Sequence, residues 1–477
     1  MERLKVWPHL TLIAIGFALL GGTVVAVWLR NEQNTSAKTL PQAARVERVE
    51  GDVGLNDSLA RGTSNEWIEV TQNMPVSVGD RIYTRNESRA AIALSGRNFV
   101  RLNPDSAIDV LSLSDTTTQI ALRDGSALFD VGYLDSADRF EVATPCGAVN
   151  FNEPGLYEVA LNDNGSASIA VLNGLAQVVG LAGSGQISKG EVLTLLGQAA
   201  ADVALSRIDP TYAGSLVNDY YGYRYPDLYD GRYSDYQSYL DDPYYYDPYQ
   251  RYSSYQYASD SIPGLYDLDY YGDWQHLDGY GQAWCPNVDA GWAPYQSGYW
   301  VNDYPYGLTW VSNEPWGYAP YHYGRWAYSG NQWFWVPERV GTSAFYSPAL
   351  VAFLPLNQNL GIGWVPLAPG DPYAPRYYDE YWQPYYLTRT EVIQTQVINL
   401  GVPDAVTIVP WQDFDRDIDP RTIRRGDRRL FADARPVLDP LLAGPLRNAA
   451  LRSGRGREKL DLPSGIAKRL ENTTVVT

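Results

Sequence analysis

The sequence predicts a mainly β protein behind one N-terminal transmembrane helix, and three observations carry this. Residues 45–205 hold short alternating apolar and polar runs broken by Gly, Asn and Asp, at the roughly 8–12-residue spacing of all-β domains. Residues 272–377 repeat a Trp/Tyr pattern, the mark of stacked supersecondary units. Leu10–Leu29 is a 20-residue run without a charge. The chain has 477 residues, 45% hydrophobic and 19% charged, with 38 Tyr and 15 Trp against 10 Phe. A net charge of −18 argues against a nucleic-acid partner. Two Cys and three His make a zinc domain or a His-based metal enzyme a poor fit. The expectation is no enzyme and no cofactor.

The apolar run comes first. At about 1.5 Å per residue, 20 residues span the roughly 30 Å hydrocarbon core of a bilayer. Arg3 and Lys5 precede it, which places residues 1–9 in the cytoplasm and exports the rest. Residues 10–29 therefore read as a signal anchor in the bacterial inner membrane, with the bulk of the chain periplasmic. A cleaved signal peptide is the rival reading, with Val24-Val25-Ala26 as its small-residue site. Residues 30–44 are polar and read as a linker.

Residues 45–205 read as an all-β domain, sandwich or solenoid, from runs such as Ala90–Leu94, Phe99–Leu102, Ala107–Leu111, Gln119–Arg123, Leu156–Ala160 and Ala167–Leu172. Fixed turn residues punctuate them: Gly79-Asp80-Arg81, Arg101-Leu102-Asn103-Pro104-Asp105-Ser106, Leu122-Arg123-Asp124-Gly125, Thr144-Pro145-Cys146-Gly147, Val171-Leu172-Asn173-Gly174 and Gly190-Glu191. In this order the motifs resemble the FecR-like domain of bacterial envelope proteins. The resemblance implies an exported β domain. It also implies kinship with inner-membrane sensors that carry a cytoplasmic anti-sigma segment and hear an outer-membrane receptor. Only about nine residues precede the apolar run here, too few to fold around a sigma factor, so a FecR-type signal transducer is the second reading.

Residues 206–271 form a Tyr/Asp-rich tract. Between 212 and 271 lie 19 Tyr, ten Asp and three Arg, with no Lys or Glu. Such sequence offers no period that a core can use and predicts a disordered linker.

In residues 272–377, Gly291-Trp292-Ala293-Pro294-Tyr295 with Gly298 and Trp300 recurs as Gly317-Tyr318-Ala319-Pro320-Tyr321 with Gly324 and Trp326, a shift of 26. Trp284, Trp310, Trp335 and Trp364 follow at the similar intervals of 26, 25 and 29. Each unit reads as an aromatic β-hairpin, too small to stand alone, whose stacked Trp faces make a shared core. Because neighbouring strand residues face opposite ways, one ring of each pair is free to be exposed. Trp292, Tyr295, Trp300, Tyr318, Tyr321 and Trp326 are thus the candidate aromatic binding platform, against the alternative that every ring is core. The stretches Trp316–Trp326 and Trp364–Gly370 closely resemble an uncharacterised bacterial family of Tyr/Trp-repeat proteins that often follows a FecR-like domain. No established activity comes with that resemblance. His322 near Glu314 suggests acid–base work only weakly, with no nucleophile motif beside it.

Residues 378–477 read as a C-terminal tail, basic from 416, where 14 Arg/Lys face 8 Asp/Glu. Cys146 and Cys285 fall in different domains, and nothing in the sequence brings them together. The first functional reading is a non-enzymatic, envelope-anchored binding or scaffold protein. Its partners would be the membrane, an envelope protein, and peptidoglycan or a polysaccharide.

Overall fold

The computed structural model describes residues 42–437 apart from 58–66, 95–96, 115, 181–182, 197–202, 210–251, 304, 339–343, 357–360, 372–375, 379–383, 387–396, 415, 422 and 426–435; beyond 437 it describes 460–462, 466, 470, 473 and 475. The expected membrane run Leu10–Leu29 lies outside these. No helix among the described residues is long and apolar enough to cross a membrane.

The alternating runs of the first domain form two open nine-stranded sheets. One runs from Val203–Arg207 at its edge through Glu191–Leu195, Ala167–Asn173, Gly155–Leu161, Ser126–Val131, Asn98–Leu102, Arg89–Ala93 and Ala44–Glu50 to Pro75–Val76. The other runs from Gly183–Ser188 through Leu175–Gly180, Gly147–Phe151, Arg139–Thr144, Thr117–Asp124, Ala107–Leu113, Arg81–Thr84 and Val53–Asn56 to Ile68–Glu69. The chain changes sheet after every one or two strands, so it winds like a coil while building two layers. One apolar core fills the space between them, including Val46, Ile92, Phe129, Phe151 and Tyr157. The motif residues hold turns and strand ends. Asp80 accepts a hydrogen bond from the Ser77 amide at 2.7 Å, and Arg81 forks onto buried Asp109 at 2.5 and 2.8 Å.

Four aromatic hairpins follow: Gly272–Leu277 with Gly281–Pro286, Gly298–Asp303 with Gly307–Ser312, Arg325–Ser329 with Gln332–Val336, and Val351–Pro355 with Ile362–Pro366. In each, two rings stand directly across the strands: Trp274 and Trp284, Trp300 and Trp310, Trp326 and Trp335, Phe353 and Trp364. The Gly-x-Trp spelling has a steric cause. A Cβ on Gly298 would sit 2.7 Å from the Trp310 ring, and one on Gly324 would sit 2.7 Å from the Trp335 ring. The glycine leaves room for the facing indole to lie on the backbone. The hairpins share one core, as expected, but do not stack in chain order. The first pairs with the third through Trp284 and Trp335.

Two expectations need correction. The end of the Tyr tract, from Tyr252, is not linker. Short helices at Ser254–Tyr257 and Leu268–Tyr271 flank a turn at Leu265–Asp267. Leu265 and Leu268 are fully buried in the aromatic core, because a few aliphatic side chains suffice when rings already surround them. The rest of the tract, 210–251, lies outside the described residues. Nor are residues 378–477 merely a tail. Thr407–Val409 pairs with Ile362–Pro366, and Val406, Ile408, Phe414 and Ile418 enter the same core. Residues 41–477 are a single compact unit.

Candidate functional site

The six candidate rings are placed as follows. Tyr295, Tyr318, Tyr321 and Trp326 are 0% exposed and Trp300 is 1% exposed; only Trp292 is half-buried. The platform reading is corrected by this burial, since five of the six rings present no face to solvent. They are brought together, but as core. Tyr295 and Tyr321, one repeat apart, lie 4.4 Å centre to centre, and Trp300 packs at 5.1 Å on Trp310 and 5.6 Å on Trp364. Alternation failed as a guide because Tyr295, Tyr318 and Tyr321 lie in loops and a short helix, Tyr318–His322, where a strand's alternation does not apply.

Buried indoles favour an acceptor, and several here find a main-chain carbonyl, although those of Trp300 and Trp310 do not among the described residues. Trp284 donates to the Leu268 carbonyl at 2.8 Å, Trp335 to Tyr323 at 2.7 Å and Trp364 to Tyr295 at 2.9 Å. Tyr295 is the keystone: its hydroxyl donates to the Tyr321 carbonyl at 2.7 Å and accepts the Leu350 amide at 3.0 Å. It holds a left-handed backbone, φ +62°, a conformation that a non-glycine residue adopts only when its surroundings compel it.

Glu314 and His322 do not meet as an acid–base pair. The Glu314 carboxylate accepts from Tyr321, from the Trp292 indole at 2.7 Å and from Ser312 at 3.2 Å. Burial pushes it up to about 7 in spite of those donors. His322 is buried and gives its Nδ1 proton to the Ser347 carbonyl at 2.8 Å. Burial holds its pKa down to about 4, so the ring is neutral at pH 7. No group of three or more metal-ligating side chains is gathered among the described residues. Cys146 and Cys285 are both buried.

The groups that sequence reasoning missed lie where the β domain meets the aromatic hairpins. Arg45, on the strand Ala44–Glu50, is fully buried and pairs with Asp267, itself 13% exposed. It also donates to the Pro315 carbonyl at 2.8 Å and lies 5.9 Å from the Tyr318 ring centre. Glu47 accepts from the Tyr266 hydroxyl, and Asn73 donates to the Ser312 and Glu314 carbonyls at 3.0 and 2.7 Å. Tyr318 donates to the Ala43 and Ala44 carbonyls at 3.0 and 3.1 Å. Gly264, at φ +77°, makes room: a Cβ there would lie 1.9 Å from the Arg45 guanidinium. Burial raises Asp267 to about 6 against the pull of Arg45. The one sequence signal for this junction was Pro263-Gly264 followed by Leu265 and Leu268 at helical spacing.

Two domain families are matched. Residues 80–177 match the family described as FecR protein. The chain carries a FecR domain. After it, residues 265–371 match a family of unknown function, DUF6600, which covers the aromatic hairpins and begins at the Leu265 turn. The FecR domain thus lies within the two-sheet body, and Asp267, at the start of the second domain, grips Arg45 beside it. Two crystal structures of a "putative anti-sigma factor from Parabacteroides distasonis" are similar at 17% and 16% identity. Each match covers 30% of this chain and 64% or 65% of that one, under two thirds, with a TM-score of 0.26. None of the curated proteins matches.

Proposed function

We propose that the chain is a FecR-type signal transducer of the bacterial envelope, anchored by Leu10–Leu29, which receives its signal by binding a partner protein. The observation that supports this best is the FecR domain at 80–177; the two-sheet body that contains it is joined to the DUF6600 domain by a buried ion pair between Arg45, on the strand Ala44–Glu50, and Asp267. A partner that shifts one domain strains a charge pair that the other needs, and breaking such a pair is costly. The role we propose is binding; the two residues that hinted at acid–base work are engaged elsewhere, Glu314 by three donors and His322 by Ser347. A polymer-holding scaffold is less well supported, since it drew on rings that lie in the core.

The test is deletion of the gene and complementation with the full chain, read by transcript profiling and by sedimentation with peptidoglycan and polysaccharides. A defined gene set that changes on deletion and returns with the wild-type chain, but not with Arg45→Met, supports the transducer. Unchanged transcripts together with saturable polymer retention overturn it in favour of the scaffold. Reporter fusions at residue 40 check the topology; activity of only the cytoplasmic reporter contradicts export.

A further inference from the structure

Each body of the chain closes its own core. Among the described residues, the apolar cluster between the two FecR sheets runs from Ala44 to Leu195. The aromatic cluster of the hairpins runs from Ala258 to Ile418, with Ala43 added from the FecR side. Between the two cores lies a layer of different make-up. Arg45, Ala93 and Phe99 stand in one row across the strands Ala44–Glu50, Arg89–Ala93 and Asn98–Leu102, and Ala91 stands opposite Arg101 in the next row. Their strand neighbours Val46, Ile92 and Val100 enter the FecR core, so these rows face out of the sheet. An outward face of an antiparallel sheet is commonly wet, yet Ala91, Ala93 and Phe99 are 1%, 0% and 2% exposed.

The cover comes from the hairpin side. Tyr266 packs on Phe99 at 6.2 Å and gives its hydroxyl proton to Glu47. Asp260 pairs at 3.3 Å with Arg97, which lies over the Tyr255 ring, and Asp267 pairs with Arg45. Further along, Ser77 donates to Asp303 at 3.4 Å, and the Thr71 and Tyr299 hydroxyls meet.

We propose that this layer is a latch: the hairpin body closes reversibly on the outer face of the FecR sheet, and the two part as folded bodies, uncovering Ala91, Ala93 and Phe99. The latch deepens the transducer reading as its means of regulation, and rests on that reading only for its role in the cell.

Composition is the first support. The layer sets ion pairs and hydrogen bonds around one small apolar cluster, Ala93, Phe99 and Tyr266 with Tyr252 and Tyr255 at its edge. That is the make-up of an interface between domains that move, not of a core. The second support is that parting the bodies differs from breaking the same bonds in place. Removing one partner strands a charge in the layer, whereas opening returns Arg45, Glu47 and Asp267 to water and recovers their cost of desolvation. The layer therefore yields at a lower free energy than either core, as a sub-global opening of the native protein. The open form is a minor state, so it precedes unfolding without splitting the melting transition.

The experiment is native-state thiol labelling of the full chain in detergent micelles. Ala93→Cys places a thiol in the layer. Cys146 in the FecR core and Cys285 among the hairpins, both buried, report on the two bodies. The introduced thiol should react at least about tenfold faster than Cys146 and Cys285, and at least about tenfold slower than the same thiol in denaturant. Asp267→Asn should raise the introduced thiol's rate about tenfold and leave the two native thiols unchanged. Should Ala93→Cys misfold, Ala91→Cys carries the same measurement. The proposal is overturned if the introduced thiol reacts no faster than the native two, if it reacts as fast as in denaturant, or if Asp267→Asn quickens all three alike. Transcript profiling of cells carrying Asp267→Asn is a separate reading: a quickened introduced thiol with the wild-type gene set leaves the latch standing and counts against the transducer.

Discussion

Ala substitutions at Trp284, Trp310 and Trp364, all fully buried, are expected to cost about 3–5 kcal/mol each, the usual range for a large aromatic in a core. Trp292→Ala should cost about 1–3 kcal/mol, mainly because Glu314 loses a buried donor. Denaturant melts of the four variants check this order, and equal losses at all four would contradict it. Glu314 makes a second prediction. Its folded pKa, about 7, lies above its ordinary value of 4.5, so the native state holds the proton more tightly than the unfolded chain. Its contribution is therefore fully present below pH 4.5 and is lost as pH rises through 7, by about 1–3 kcal/mol. His322 acts in the opposite sense. Its pKa falls from 6.5 to about 4, so stability is lost as pH drops through that window. Melting temperatures measured from pH 4 to 8.5 should lose their alkaline-side decline in Glu314→Gln and their acid-side decline in His322→Gln.

The strand Ala44–Glu50 serves two masters. Val46 faces the FecR core, while Arg45 points the other way and reaches Asp267 across the junction. Asp267→Asn leaves that guanidinium buried and poorly paired, and is expected to destabilise by about 3–5 kcal/mol. The double substitution Arg45→Met with Asp267→Leu should recover most of the loss, because apolar groups of similar size often replace a buried pair at little cost. A double-mutant cycle by chemical denaturation measures the coupling, and a cycle that sums to zero refutes it. The hairpins show the same economy of small elements. None is long enough to stand alone, so each depends on rings supplied by the others, and the segment that closes the core, Ile408 to Ile418, arrives from the region read as tail.

Because Arg45, Asn73 and Tyr318 tie the FecR body to the hairpins, residues 41–477 are expected to unfold in one transition by calorimetry. The isolated stretch 41–209 should still give an all-β far-UV spectrum. It should melt lower than the same strands in the whole unit, since Phe99 loses its packing on Tyr266 and Arg45 loses its carboxylate. Two well-separated transitions in the whole unit would show that the junction carries little energy.

Much of this architecture was legible before any coordinates. Alternation located the strands of residues 45–205, because a half-buried sheet must alternate. The Gly-x-Trp beat located the hairpins, because the glycine is the seat of the facing indole. The turn motifs carried the FecR resemblance, and the domain match at 80–177 agrees with it. Exposure of individual rings was not legible. Whether Trp300 or Tyr318 is covered depends on Phe414, Tyr346 and other groups distant in sequence, and local periodicity holds no information about those. The same limit hid Arg45 and Asp267, two charged residues that look solvated in isolation. Only the tertiary structure could place them together, since an ion pair across 222 residues is created by packing and leaves no local pattern.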